Sequence, residues 1–116
     1  MLNNREEPSP VKEFDALHDT IYVIGGKWKM PIIKAICSGR QQRFTEIERS
    51  VTGITARMLS RELKEMELNK LISRTVYNEN PVRIEYGITE YGKSIAPLVE
   101  SMMKWGTSHR QKIKED

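Results

Sequence analysis

A chain of 116 residues, 38% hydrophobic and 30% charged, reads as one domain that buries roughly two-thirds of its unfolded surface and leaves no room for a second independent core. No apolar run approaches the roughly 18 residues of a membrane span, the start MLNNREEPSP lacks the apolar centre of a signal peptide, and a single cysteine forms no intrachain disulfide; a cytoplasmic protein with no membrane partner is expected. The net charge of +3 is uneven, because Arg5 and Lys12 face Glu6, Glu7, Glu13 and Asp15 in the first stretch, so the rest of the chain is the more basic part and favours a polyanionic partner.

Residues 1–13 hold two prolines and mixed charge and are expected to form a loose arm. From Phe14 the apolar positions Leu17, Ile21 and Ile24 recur at helical spacing, and Gly25-Gly26 stops that first helix. A second helix is expected from Trp28 to Ser38, with Pro31 tolerated in its first turn and Ile32, Ile33 and Ile36 facing the core. Arg40 to Phe44 could add a short strand. One domain over residues 14–112, with a tail at 113–116, follows from this division.

Residues 43–71, RFTEIERSVTGITARMLSRELKEMELNKL, read as two helices joined by a sharp turn. Thr45 and Glu48 have the spacing of a capping box for the first helix, Gly53 gives the turn its freedom, and Thr55 is placed to N-cap the second. At about 100° per residue, Arg57, Arg61 and Lys64 fall within roughly 60° of one another, with Ser60 beside them, while Leu59, Leu63 and Met66 lie opposite. The second helix is therefore amphipathic with a cationic front. Taken alone, such a face is as often solvated charge as a nucleic-acid surface.

The period then changes. Ile72 to Tyr77 is rich in β formers, and Val82, Ile84, Tyr86 and Ile88 alternate with Arg83, Glu85 and Gly87 as in a half-buried strand. Asn78-Glu79-Asn80-Pro81 is a hairpin loop by composition. A hairpin after a helix-turn-helix is a wing, whose tip residues Asn78 and Asn80 are polar. Arg83 at its base could reach a phosphate or the minor groove, or be held by a carboxylate across the hairpin. Thr89 caps a last helix with Ile95, Leu98, Val99, Met102, Met103 and Trp105 on a wide apolar stripe, and Pro97 is expected to kink it. So much apolar surface on a terminal helix points to a homodimer built on the first and last helices.

Rival sites are thin. Cys37, beside Ile33 and Ile36, reads as a core thiol, the functional alternative being a redox switch, which requires exposure. His18 and His109 have no ligand-spaced partners, so no metal or other cofactor is expected. There is no phosphate loop, catalytic carboxylate motif or nucleophile elbow, so no catalytic residue is assigned. Trp28, Trp105 and the tyrosines read more readily as core than as the lining of a small-molecule effector pocket.

Gly25-Gly26-Lys27-Trp28-Lys29, Arg43-Phe44-Thr45-Glu46-Ile47, Gly53-Ile54-Thr55 with Met58-Leu59-Ser60-Arg61-Glu62-Leu63-Lys64-Glu65-Met66, Pro81-Val82-Arg83-Ile84-Glu85-Tyr86, Thr89-Glu90-Tyr91-Gly92 and Trp105-Gly106 resemble, in order and spacing, the HxlR family of MarR-like winged-helix transcriptional regulators. The resemblance runs from about Phe14 to Gly106. It implies a dimeric, cytoplasmic regulator, often a repressor, that reads promoter DNA with the second helix of the helix-turn-helix and the wing. Two departures stand out. Many members carry Cys-Pro where this chain has Asp15-Ala16, so sensing by that thiol does not carry over, and a frequent Gly is replaced by Lys70, leaving Asn69 to supply a left-handed residue.

The expected fold is thus α+β and mainly helical, a winged helix-turn-helix homodimer on double-stranded DNA. Ser60 and Arg61 are the candidates for base-edge contact, and Thr55, Arg57 and Lys64 for positioning on the backbone. The contrasting expectation is a winged-helix module that meets an acidic protein surface instead of an operator.

Overall fold

The computed structural model describes residues 10–39 and 42–115. Five helices and one hairpin follow in the order α1 (Pro10–Ile24), α2 (Lys29–Cys37), α3 (Phe44–Ser50), α4 (Ala56–Leu68), β1 (Ile72–Tyr77), β2 (Arg83–Ile88) and α5 (Ala96–Lys114), with a 3₁₀ turn at Gly92–Ile95 leading into α5. Residues 1–9 of the expected arm lie outside the described residues. Residues 10–13 are helical, because a proline is readily accepted at the first position of a helix. At the other end α5 runs two residues past 112, and Asp116 lies outside the described residues.

The core is a single cluster in which Ile32, Ile33 and Ile36 of α2 meet Ile47 of α3, Leu59, Leu63 and Met66 of α4, and Leu71 and Ile72 at the entry to the hairpin. Each of these large side chains contributes about 1.5–3 kcal/mol through its removal from water. The helix-turn-helix is closed by backbone bonds from Val51 N–H to Ile47 O (3.1 Å) and from Ile54 N–H to Val51 O (3.3 Å). Gly53 in that turn has φ +89°, a conformation that L side chains rarely adopt.

Three local expectations shift. The cap of α3 lies two residues earlier than a Thr45–Glu48 box: Arg43 is the N-cap, and its N–H donates to Glu46 Oε1 at 2.7 Å. The chain is committed there because Gln42 exchanges backbone hydrogen bonds with Tyr86 (2.9 and 2.8 Å), a bridge within the expected 40–44 strand, of which residues 40 and 41 lie outside the described residues. Pro97 does not kink α5, since it occupies the helix's first turn, where its missing N–H costs nothing. After α4 it is Lys70, not Asn69, that turns left-handed (φ 66°). Lys70 N–H reaches Glu67 O (2.9 Å) and Leu71 N–H reaches Met66 O (3.0 Å), the paired bonds of a Schellman stop, while Asn69 Nδ2 donates to Glu65 O (3.1 Å).

The hairpin is antiparallel, pairing Ile72 with Ile88, Arg74 with Tyr86, Val76 with Ile84 and Tyr77 with Arg83. Thr89 fastens its base. Its Oγ1 accepts from Gly92 N–H (2.8 Å) and donates toward Lys70 O and Leu71 O (2.7 and 3.1 Å). Gly92 fits because a Cβ there would stand 2.1 Å from Leu71 O.

One buried cation ties α2 to α4. The Lys29 side chain is only 10% exposed, and its Nζ donates to Glu62 Oε1 and lies 2.8 Å from Glu65 Oε1 as well. Burial favours the neutral amine, but the two carboxylates outweigh it and hold the Lys29 pKa above its ordinary 10.5. The folded state therefore binds this proton more tightly than the unfolded chain. The associated stability is complete below a pH of about 10.4 and is lost as pH rises through the higher folded value.

Removing the ammonium while keeping its stem, as in Lys29→Met, leaves two carboxylates facing an apolar edge, and stability in urea is expected to fall by about 3 kcal/mol. Above a pH of about 10.4 the native chain should lose stability with pH more steeply than Lys29→Met does. Parallel slopes for the two proteins would show that the pair holds nothing.

Candidate nucleic-acid interface

Helix α4 is built to show one face and bury the other. Thr55, extended at φ −89°, accepts Met58 N–H on its Oγ1 at 3.1 Å and so starts the helix where expected. Leu59, Leu63 and Met66 are fully buried, and Glu62 and Glu65 on the flank are engaged by Lys29. These contacts fix the rotation of the helix about its axis. Arg57, Ser60, Arg61 and Lys64 are consequently all exposed, and the three cations form no ion pair or side-chain hydrogen bond among the described residues. Leu68 at the C-terminal end of this face is the one large apolar group on it, and it is exposed.

The wing departs from expectation in how its charge is arranged. Asn78 and Asn80 are exposed in the loop joining β1 to β2. Arg83 is not free: its Nη2 and Nε bind Glu79 (2.7 and 3.2 Å), its Nη1 binds Glu85, and its guanidinium stacks on the Tyr77 ring at 3.9 Å. Hydrogen bonding to Glu79 first and Glu85 second raises the Arg83 pKa, and Arg83 in turn lowers that of Glu79. Carboxylates do hold Arg83, but from the loop (Glu79) and its own strand (Glu85), while the residue across the hairpin is Tyr77. Directly paired residues share a sheet face, so Arg83, Tyr77 and Glu85 lie on the face opposite to Arg74 and Tyr86.

Arg74 is the cation that sequence reasoning passed over. Ser60, Lys64 and Glu67 of α4 and Arg74 and Tyr86 of the hairpin line one cleft of about 340 Å³. Arg74 is exposed and has no ion pair or side-chain hydrogen bond among the described residues. The signal was present in the alternation of β1, where Ile72, Arg74 and Val76 share a face whose first member is core.

Cys37 is exposed, not packed among Ile33 and Ile36. At about 100° per residue it falls some 40° beyond Ile33, just outside the buried arc of α2, and it is the last residue of that helix. Among the aromatic residues, Trp28 packs against the core, but Trp105 is 67% exposed and stacks on His109 with centroids 4.9 Å apart. No helix of the described chain is long and apolar enough to cross a membrane.

Comparison with known proteins agrees with this arrangement. Residues 23–114 match the profile of HxlR-like helix-turn-helix proteins. The uncharacterized HTH-type transcriptional regulator YybR of Bacillus subtilis strain 168 is 35% identical over 113 residues, spanning 97% of this chain and 90% of the relative. The solved structure of the redox regulator HypR in its reduced form superposes with a TM-score of 0.79 at 37% identity, covering 87% of this chain and 99% of HypR. A structure from Enterococcus faecalis V583 assigned to the MarR family of transcriptional regulators gives 0.79 at 30% identity, over 94% of this chain and 96% of that one. A profile match over most of the chain, on a winged helix that holds one basic helix face clear of the core, shows that the chain belongs to the HxlR-like helix-turn-helix family and is a DNA-binding transcriptional regulator.

Proposed function

We propose that the protein binds a pseudo-palindromic operator as a cytoplasmic homodimer and acts there as a repressor. The observation that carries this reading is the exposed, unpaired set Arg57, Arg61 and Lys64 on a helix whose opposite face and flank are fully used by the core and Lys29. Such a helix enters a major groove with its N-terminal half toward the base edges. Ser60 and Arg61 take the base-edge role, and Thr55, Arg57 and Lys64 hold the backbone. Asn78 and Asn80 at the loop tip touch the duplex beside them. Arg83 shapes the wing in the free protein and reaches DNA only by giving up Glu79 or Glu85.

The dimer follows from unused apolar surface. Phe14, Leu17 and Ile21 of α1 are 62%, 52% and 55% exposed, and α5 buries no residue while showing Met102, Met103 and Trp105. The radius of gyration is 17.4 Å, against about 13 Å for a compact chain of this length. Two helices reach away from the core with apolar faces that a second copy would cover. A twofold pair would place the two α4 helices on successive major grooves, about one helical turn apart. A small-molecule effector would act at that interface, and Cys37 is exposed at the end of α2.

Sedimentation is expected to give twice the 13.5 kDa chain mass, and the pair Leu17→Glu and Met103→Glu should produce a folded monomer that keeps weak binding to random duplex and loses its preference for the operator. A dimer that survives both substitutions would place the interface elsewhere. On the recognition side, Arg61→Ala should cost about 1–3 kcal/mol on the operator and relax preference at one base pair, whereas Lys64→Ala should weaken operator and random duplex alike. Equal losses on both duplexes for both variants would contradict the assignment of readout to Arg61.

A further inference from the structure

The cleft between α4 and the wing holds two cations, Lys64 and Arg74, that have no ion-pair partner among the described residues. Arg83, elsewhere on the same hairpin, has two carboxylates and an aromatic ring, and Lys29 has two carboxylates. Arg74 and Lys64 line one cleft and have no partner in it, although Glu67 lines it as well. Two like charges brought to one concave site by two different elements repel one another until an anion enters between them.

The position is also rigid. Arg74 sits near the anchored end of β1, paired with Tyr86, whose backbone is tied to Gln42 on its other edge. It is two residues from fully buried Ile72, at the end of the strand that joins the core and away from the exposed loop. The helix backbone that carries Lys64 is held by its buried neighbour Leu63. The Ser60 hydroxyl in the same cleft offers a further donor.

Resting on the DNA-binding reading above, we propose that this cleft seats one backbone phosphate of the bound duplex, clamped between Lys64 of α4 and Arg74 of β1. The clamp makes the wing base, and not only its tip, part of the DNA surface. It ties the recognition helix and hairpin into one unit around a single phosphate, which sets the register of α4 along the groove. Glu67 opposes the same anion and limits the affinity of the site.

The test uses the full chain, a duplex that the protein itself enriches from genomic DNA, and a scrambled duplex, titrated between roughly 50 and 200 mM salt. Arg74→Ala should lower affinity for both duplexes by a similar factor and make the slope of log K against log salt shallower by about 0.9, and Arg74→Lys should restore the slope. Glu67→Gln should tighten both duplexes several-fold. The direct arm replaces single phosphates of the enriched duplex by neutral methylphosphonates. At one position the native protein should weaken, and on that modified duplex Arg74→Ala and Lys64→Ala should each bind as the native protein does, whereas Arg57→Ala should still bind more weakly than the native protein. An unchanged salt slope in a folded Arg74→Ala variant, or Arg74 and Lys64 mapping to different phosphates, would overturn the clamp while leaving the regulator reading intact. A native protein with no affinity for either duplex would overturn both.

Discussion

The stripe Leu59, Leu63 and Met66 is what the DNA surface of this protein depends on. A helix on the outside of a small domain can roll about its own axis at little cost unless its buried face is narrow and filled. Here that face meets Ile32, Ile36 and Ile47, and the Lys29 ammonium grips Glu62 and Glu65 along one edge. The rotation is thereby settled, and the cationic arc points outward as a consequence. Charge placement and packing form one device: Glu62 and Glu65, two of the three acidic residues of α4, are engaged on its inner flank, which leaves the arc of Arg57, Arg61 and Lys64 positive without a large net charge on the chain.

The hairpin applies the same economy in a different way. Its paired face carrying Tyr77, Arg83 and Glu85 is neutralised within itself, so a wing of only two six-residue strands is held in shape by an ion-pair cluster instead of a second core. Surface pairs of this kind contribute little to global stability, but they can hold a short loop in one form. The other face leads from the core at Ile72 and Ile88 past Arg74 and Tyr86 toward α4, and there the charge is left unspent.

Much of this was legible from residue types and spacing. The boundaries of α4, its Thr55 cap, its buried triplet and the span of β1 follow from local rules that the tertiary structure does not override. What escaped were features set by distant partners. Lys29 lies three and four residues before Ile32 and Ile33, on the apolar side of α2, but its burial makes sense only once Glu62 and Glu65 are beside it. Arg83 was read as either a phosphate ligand or a carboxylate partner, and only the hairpin's geometry shows that its neighbours Glu79 and Glu85 both bend to it. Cys37 was misplaced by a single step around a short helix, and Pro97 by the 3₁₀ turn that delays the start of α5. Arg74 was hidden in a strand that was read only for its richness in β formers, without asking which residues share a face.

Held in this orientation, α4 is expected to deliver sequence preference and not merely attraction to phosphate. Fluorescence anisotropy with the duplex from the chain's own upstream region and a scrambled duplex, each at low and near-physiological salt, tests that directly. A preference of roughly a hundredfold that persists at the higher salt is the expected result. Two duplexes that bind alike and release together as salt rises, with no better sequence emerging from a genome-wide selection, would contradict it.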